Sequence, residues 1–399
     1  MSPPFKTIQN QNLESQFARE LDEILSWWIK NMPDKNRGGF YGRVAYGEIL
    51  HPDADKGIVL NTRILWAFSA AARKTQNPAY RKIADRAWEY IYTHFRDKEQ
   101  GGMFWMLRAN GEVKESKKQI YAQAFAMYAF SEYYMLTSSS LALSAAVEIF
   151  RLIEQHSYDP VQKGYLEAFD RNWQEMEDLR LSEIDANEAK TMNTHLHILE
   201  AYTNLFRIYP KPELKLALRS LILLLIEKFI DPETSHLHLF FDEEWNLKSR
   251  QISFGHDIEC SWLLHEAAEV LGEKSILEKV IPVTIQMAKA TLENGLDIDG
   301  SVFNEKLDSH IDTNKHWWPQ AEAVVGFWNA WQLSGEEKYK LAAINCWNFI
   351  QTYIKDTEHG EWFWGRDEHG QLLQEDKAGP WKAPYHNSRM CLEMIRRIG

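Results

Sequence analysis

Apolar residues along this chain follow a helical period that comes in pairs. The stretch 61–72, Asn-Thr-Arg-Ile-Leu-Trp-Ala-Phe-Ser-Ala-Ala-Ala, is apolar on nearly every face, whereas 79–92 carries apolar residues at 80, 83, 84, 87, 88 and 91. The first pattern predicts a helix buried all round, the second a surface helix with one packed stripe. The same pairing recurs as 118–135 with 141–156, 191–208 with 213–230, 256–271 with 275–292, and 316–333 with 336–354. A last inner helix follows Trp381.

Between the pairs stand recurring marks: Gly-Gly-Phe-Tyr-Gly at 38–42, Gly-Gly-Met-Phe-Trp at 101–105, Lys-Gly-Tyr-Leu-Glu at 163–167, His-Leu-His-Leu-Phe-Phe at 236–241, Asp-Gly-Ser-Val-Phe at 299–303 and His-Gly-Glu-Trp-Phe-Trp at 359–364. Their spacing of roughly 60 to 70 residues signals an array of six like units. Around the marks the period shortens toward two, as in Phe104-Trp-Met-Leu-Arg ahead of Asn110-Gly111, which predicts a short hairpin after each outer helix. Six pairs with apolar inner and amphipathic outer members close most simply into an all-α (α/α)6 barrel. No Pro-, Gly- or Ser-rich linker interrupts the series, so residues 1–399 are expected to form a single domain.

Composition narrows the chemistry. A net charge of −12, from 45 basic and 57 acidic residues, opposes binding to nucleic acid. The apolar run 221–226 is flanked by charge and too short to span a bilayer, and the first eleven residues lack the pattern of a secretory signal. A cytoplasmic protein without a membrane partner, acting as a monomer or weak homodimer, is the expectation. Cys260, Cys346 and Cys391 show no metal-ligand spacing and read as reduced core residues. Sixteen tryptophans are compatible with a carbohydrate site, because a flat indole stacks on the apolar face of a pyranose.

Polar residues inside apolar helices are the candidates for chemistry. Arg63 must meet an anion, either a neighbouring glutamate or a developing oxyanion. Asn193, His197 and Glu200 share one helical face, while His195 points about 200° away and reads as a packing histidine. That split argues against a metal held by the two histidines. Ser253-Phe-Gly-His-Asp-Ile-Glu opens a helix at Ser253 or Gly255 and sets Glu259 three residues beyond His256, where a carboxylate would orient the imidazole for proton transfer. A hydrogen-bonded packing histidine is the other reading. Trp317 and Trp318 stand at the mouth of the fifth inner helix with Glu322 four residues beyond Trp318, and Pro319 suits its first turn. His386 follows Trp381-Lys-Ala-Pro-Tyr, with Asn387 or Ser388 as candidate caps, and is placed to face His256 across the funnel.

The runs Asn61-Thr-Arg-Ile-Leu-Trp, Met192-Asn-Thr-His-Leu-His-Ile-Leu-Glu, Ser253-Phe-Gly-His-Asp-Ile-Glu, His316-Trp-Trp-Pro-Gln-Ala-Glu and Pro384-Tyr-His-Asn-Ser-Arg resemble the cellobiose 2-epimerases of the N-acylglucosamine 2-epimerase superfamily, in order and over nearly the whole chain. The resemblance implies an (α/α)6 barrel, with neither metal nor nucleotide cofactor, that converts the reducing-end glucose of cellobiose, lactose and related β-1,4-disaccharides to mannose. It implies that Arg63 binds the open-chain oxygens and that His197, His256 and His386 form a catalytic trio. Glu259 and Glu322 match substrate-binding and histidine-supporting carboxylates, and Asn193, Trp317, Trp318, Trp381 and Asp185 are assigned to the sugar. Relatives on the same barrel epimerise or isomerise free hexoses. A glycoside hydrolase using Glu259 and Glu322, or a sugar-binding toroid without catalysis, are readings from other classes.

Overall fold

The computed structural model describes residues 10–183 and 185–399; part of the opening segment read for a secretory signal, residues 1–9, lies outside them. Six inner helices form a closed ring: α2 (Ile58–Thr75), α4 (Ile120–Thr137), α6 (Met192–Phe206), α8 (Phe254–Leu271), α10 (Trp317–Ser334) and α12 (His386–Ile398), each packed on the next and α12 on α2. Every residue of α4 from Ile120 to Tyr133 is buried, as its largely apolar composition requires, with Gln123, Ser131 and Glu132 the polar exceptions. The outer helices α3 (Pro78–Tyr90), α5 (Ser140–His156), α7 (Pro212–Leu224), α9 (Lys274–Asn294) and α11 (Glu337–Phe349) bury a single stripe; in α3 it is Tyr80, Ile83, Ala84, Ala87 and Tyr90. The inner and outer assignments from periodicity therefore hold.

The sixth outer helix comes from the opposite end of the chain. α1 (Asn10–Asn31), which the pairing pattern left unassigned, packs on α12 and closes the barrel. The closing seam also carries polar bonds, from α1 to α11 and to the mark beyond it: Trp28 Nε1 donates to Glu361 at 3.1 Å, Trp362 Nε1 to Glu20 at 2.7 Å, and Trp347 Nε1 to Gln16 at 2.9 Å.

Inner helices α2, α4, α8 and α10 end on left-handed residues, Gln76, Ser138, Gly272 and Gly335, which reverse the chain into the outer partner. The expected short closures are present at all six marks as antiparallel bridges: Pro33 with Phe40, Arg96 with Met103, Tyr158 with Tyr165, Ile230 with Leu237, Leu296 with Val302 and Lys355 with Trp362. Val44–Ala45 pairs with Ile49–Leu50, Met106–Leu107 with Val113–Glu115, and Glu305–Leu307 with His310–Asp312 as local hairpins. The other strand ladders join distant segments: the two residues ahead of an inner helix pair with a segment beyond its outer helix, as Lys56–Gly57 does with Met106–Leu107 and Lys190–Thr191 with Phe240–Phe241. Alternation of side chains identifies a strand but not its partner, so these longer-range ladders were not legible in the sequence.

A buried ion pair repeats at these junctions. Lys56 binds Asp34 at 2.9 Å, Lys118 Asp97 at 2.9 Å, Lys190 Asp159 at 2.8 Å and Lys315 Asp297 at 2.6 Å, while Lys377 pairs with Asp356. The fourth unit departs: Ile252 occupies the position two residues ahead of its inner helix where four other units carry lysine. Such pairs do little for net stability once desolvation is counted, but breaking one leaves an uncompensated buried charge, so they fix the register of the loops around the mouth. Those loops and the N-terminal ends of the inner helices surround the central cavity.

Candidate active site

A cavity of about 340 Å³ lies at that mouth, and Arg63, Asp185, Asn193, His197, His256, Glu259, Trp317, Trp318, Trp381 and His386 all line it. Glu322, the remaining candidate, stands behind His386 and reaches the cavity through that ring. A neighbouring cavity of about 580 Å³ shares Leu181, Asp185, Asn193, His256 and Glu305 with the first. Asp185 belongs to the loop between α5 and α6, where it accepts bonds from the Ser182 amide at 2.9 Å and hydroxyl at 2.6 Å.

Arg63 is buried at 3 % exposure, yet among the described residues no carboxylate lies within ion-pair distance. Its Nη2 donates to the Tyr121 hydroxyl at 2.7 Å, its Nη1 reaches the Trp381 carbonyl at 3.4 Å, and the guanidinium lies over Phe125 and Tyr385 with its carbon 4.5 and 5.0 Å from the ring centres. Of the two partners weighed from sequence, a neighbouring glutamate is thus excluded. Arg63 Nε, Asn193 Oδ1 and Glu259 Oε2 are buried without hydrogen-bond partners among the described residues. Unpaired buried polar atoms are costly, and three of them on one cavity wall call for a ligand rich in hydroxyls or oxyanions.

Of the four histidines lining the cavity, His197, His256 and His386 are each anchored through Nδ1, leaving Nε2 without a partner among the described residues. His197 Nδ1 meets Glu200 at 3.1 Å, and His386 Nδ1 donates to Glu322 at 2.7 Å. His256 corrects the sequence reading: Nδ1 bonds to the Ser253 hydroxyl at 2.8 Å, while Glu259 turns instead to Arg389. Spacing of three put imidazole and carboxylate on one face, but a guanidinium is the stronger partner. Burial, with Arg63 nearby, lowers His256 to about 4, and burial likewise holds His386 well below the ordinary imidazole value; both rings are neutral at pH 7. Burial also lowers His197, against the opposing pull of Glu200.

Arg389 joins the carboxylates of α6, α8 and α10, bonding Glu200, Glu259 and Glu322, the last at 2.7 Å. Burial opposes ionisation of Glu200, but Arg389 and the His197 bond outweigh it and hold that carboxyl at about 2. One oxygen from each of Glu259 and Glu322 and one His386 nitrogen lie within 4.8 Å of one another, a grouping able to hold a cation. The Arg389 guanidinium already supplies the positive charge there, so the donor set does not suit a metal ion.

Trp318 packs against both His256 and His386, with ring centres 4.7 and 5.5 Å apart, so the two imidazoles flank one indole. Gly255 makes this possible, because a Cβ there would lie 2.5 Å from the Trp318 ring. The glycine is needed for space; Ser253, not Gly255, occupies the N-cap position. Trp317 is buried against Trp364 at 4.6 Å between ring centres. Neither Asn387 nor Ser388 caps α12; His386 is its first residue and Tyr385 the N-cap. His195 is the packing histidine expected, donating Nδ1–H to the Thr191 carbonyl at 2.7 Å and accepting from the Tyr165 amide at 2.9 Å.

Sequence reasoning missed Tyr121, Tyr385 and Arg389 as members of the site. Arg389 carried the same signal as Arg63, a cation within an inner helix; the tyrosines carried none, since aromatic residues fill these helices.

Comparison with known proteins agrees with this architecture. The family model described as N-acylglucosamine 2-epimerase (GlcNAc 2-epimerase) matches residues 38–389. The chain is 49% identical to a cellobiose 2-epimerase of Bacteroides fragilis, covering 96% of this chain and 98% of that one. It superposes with a TM-score of 0.93 on the solved structure of cellobiose 2-epimerase from Bacillus thermoamylovorans B4167, at 39% identity over 97% of this chain and 100% of that one. A D-mannose isomerase structure shares the fold, with a TM-score of 0.86 at 18% identity. With the matched region spanning the ring from the first mark to Arg389, the chain belongs to the N-acylglucosamine 2-epimerase family.

Proposed function

We propose that this protein is a 2-epimerase acting on the reducing-end glucose of cellobiose-type β-1,4-disaccharides, using its own side chains and no cofactor. The observation that carries the proposal is the pairing of an uncompensated buried cation, Arg63, with two neutral imidazoles flanking one indole in a single cavity. A C2 proton becomes acidic only beside a C1 carbonyl, so the sugar ring opens first by acid–base catalysis. One of His256 and His386 then removes the C2 proton while the electron pair shifts through C1 to O1, where Arg63 and His197 stabilise the enediolate. The other imidazole, neutral at rest, first takes up a proton at Nε2 as the ring opens and then delivers it to the opposite face. Asn193, Glu259 and Asp185 offer acceptors for hydroxyls, and Trp317, Trp318 and Trp381 offer aromatic surface. The second cavity, opening from Asp185 and Asn193, gives a non-reducing sugar a place and favours a disaccharide over a free hexose.

Hydrolysis needs two carboxyl groups on opposite sides of the scissile bond. Glu259 and Glu322 are instead tied together by one guanidinium, which argues against that class.

Incubation with cellobiose in D₂O tests the proposal. The expected product is the mannose-ended disaccharide with deuterium at C2; product without deuterium excludes proton transfer through solvent-exchanging bases, and free glucose identifies a hydrolase. Because Arg389 supplies the cation between Glu259 and Glu322, dialysis against a strong chelator is expected to leave the rate unchanged. A loss restored by a divalent ion would contradict it.

A further inference from the structure

The three candidate catalytic histidines are held by two different kinds of partner. His197 and His386 are anchored to carboxylates; among the described residues His256 is anchored to the hydroxyl of Ser253 at 2.8 Å. A serine at an N-cap ordinarily accepts a bond from an amide of the first turn. Ser253 makes no such bond, whereas Thr191 at the corresponding position before α6 accepts from the Thr194 amide at 3.3 Å. The hydroxyl of Ser253 is thus turned from its own helix to the imidazole, and at 2 % exposure it is shielded from solvent.

We propose that Ser253 is a positioning residue for His256: its oxygen accepts Nδ1–H, which keeps the Nε2 lone pair available to the cavity for the C2 proton on one face of the sugar. The inference rests on the proton-transfer reading above. In the step it supports, the proton passes from C2 to Nε2, the C2–H electron pair becomes the C1–C2 double bond, and the carbonyl pair moves onto O1 near Arg63. A carboxylate behind the ring would stabilise the resulting imidazolium strongly and retain the proton; a neutral hydroxyl stabilises it weakly and lets it go. The two half-reactions therefore have separate supports, Glu322 for His386 and Ser253 for His256.

The test follows solvent exchange at C2 in D₂O, from the glucose-ended and mannose-ended disaccharides separately, for the wild type, Ser253→Ala and Ser253→Thr. Ser253→Ala is expected to slow exchange from one epimer by about tenfold and leave the other within about twofold. The undiminished epimer reports that the variant is folded. Ser253→Thr keeps the hydroxyl and should restore the lost exchange. Equal loss from both epimers in Ser253→Ala, or no recovery in Ser253→Thr, overturns the positioning role. Absence of exchange in the wild type overturns the proton-transfer reading itself, so the two failures are distinct.

Discussion

Replacing His386 or His256 by Asn is expected to lower net epimerisation by about 10²–10⁴-fold, yet the two variants should retain proton exchange from opposite epimers. If each imidazole serves one face of C2, loss of one stops inversion, because a proton removed from one face can no longer be returned on the other. The surviving histidine still removes the proton that faces it, exchanges it with solvent and returns it to the same face. His386→Asn and His256→Asn should thus each exchange one epimer and spare the other, with the preference swapped between them. The structure gives the swap a basis, since the two rings lie against the same indole but are anchored on different helices by different partners. Equal residual exchange from both epimers in both variants would transfer one of the two roles to His197.

Arg63→Met should behave differently in both rate and stability. The enediolate is common to both directions, so exchange from both epimers should fall together, by about 10²–10³-fold for loss of an oxyanion-stabilising group. Stability should hold or rise. Arg63 is buried with a tyrosine hydroxyl and aromatic faces as its company, so among the described residues the desolvation of its charge goes unmatched by a carboxylate. An apolar side chain of similar length removes that cost. Thermal unfolding together with C2 exchange checks both halves; a variant that loses activity through a lower melting temperature, or loses exchange from one epimer only, would contradict the assignment.

The fold was legible because periodicity is local. Five inner–outer pairs and a lone inner helix could be read from the spacing of apolar residues, and Asn193 with His197 from their shared face. What escaped was the long-range partnership. The apolar positions Leu13, Phe17, Leu21, Ile24 and Trp28 do mark α1 as amphipathic, but its partner α12 lies at the far end of the chain, so a search for neighbouring pairs could not join them. The same limit explains the misread carboxylate. Glu259 is one turn from His256 in sequence, and nothing local discloses that Arg389, 130 residues later, takes it. It explains Ser253 too: its position identified a cap, while the direction of its hydroxyl depended on the neighbouring imidazole.

The seam between α1 and α12 bears on how the molecule is assembled. Local helix pairs form between residues close in sequence, but the seam brings together residues more than 300 positions apart, at the entropic cost of closing a very long loop. Arg63 stands on the first inner helix and His386 and Arg389 on the last, so the chemistry is divided across the junction that this closure completes. During refolding, helical signal measures how many units have formed, whereas turnover measures how many rings have shut. An incomplete barrel can therefore be rich in helix and still be unable to move a proton.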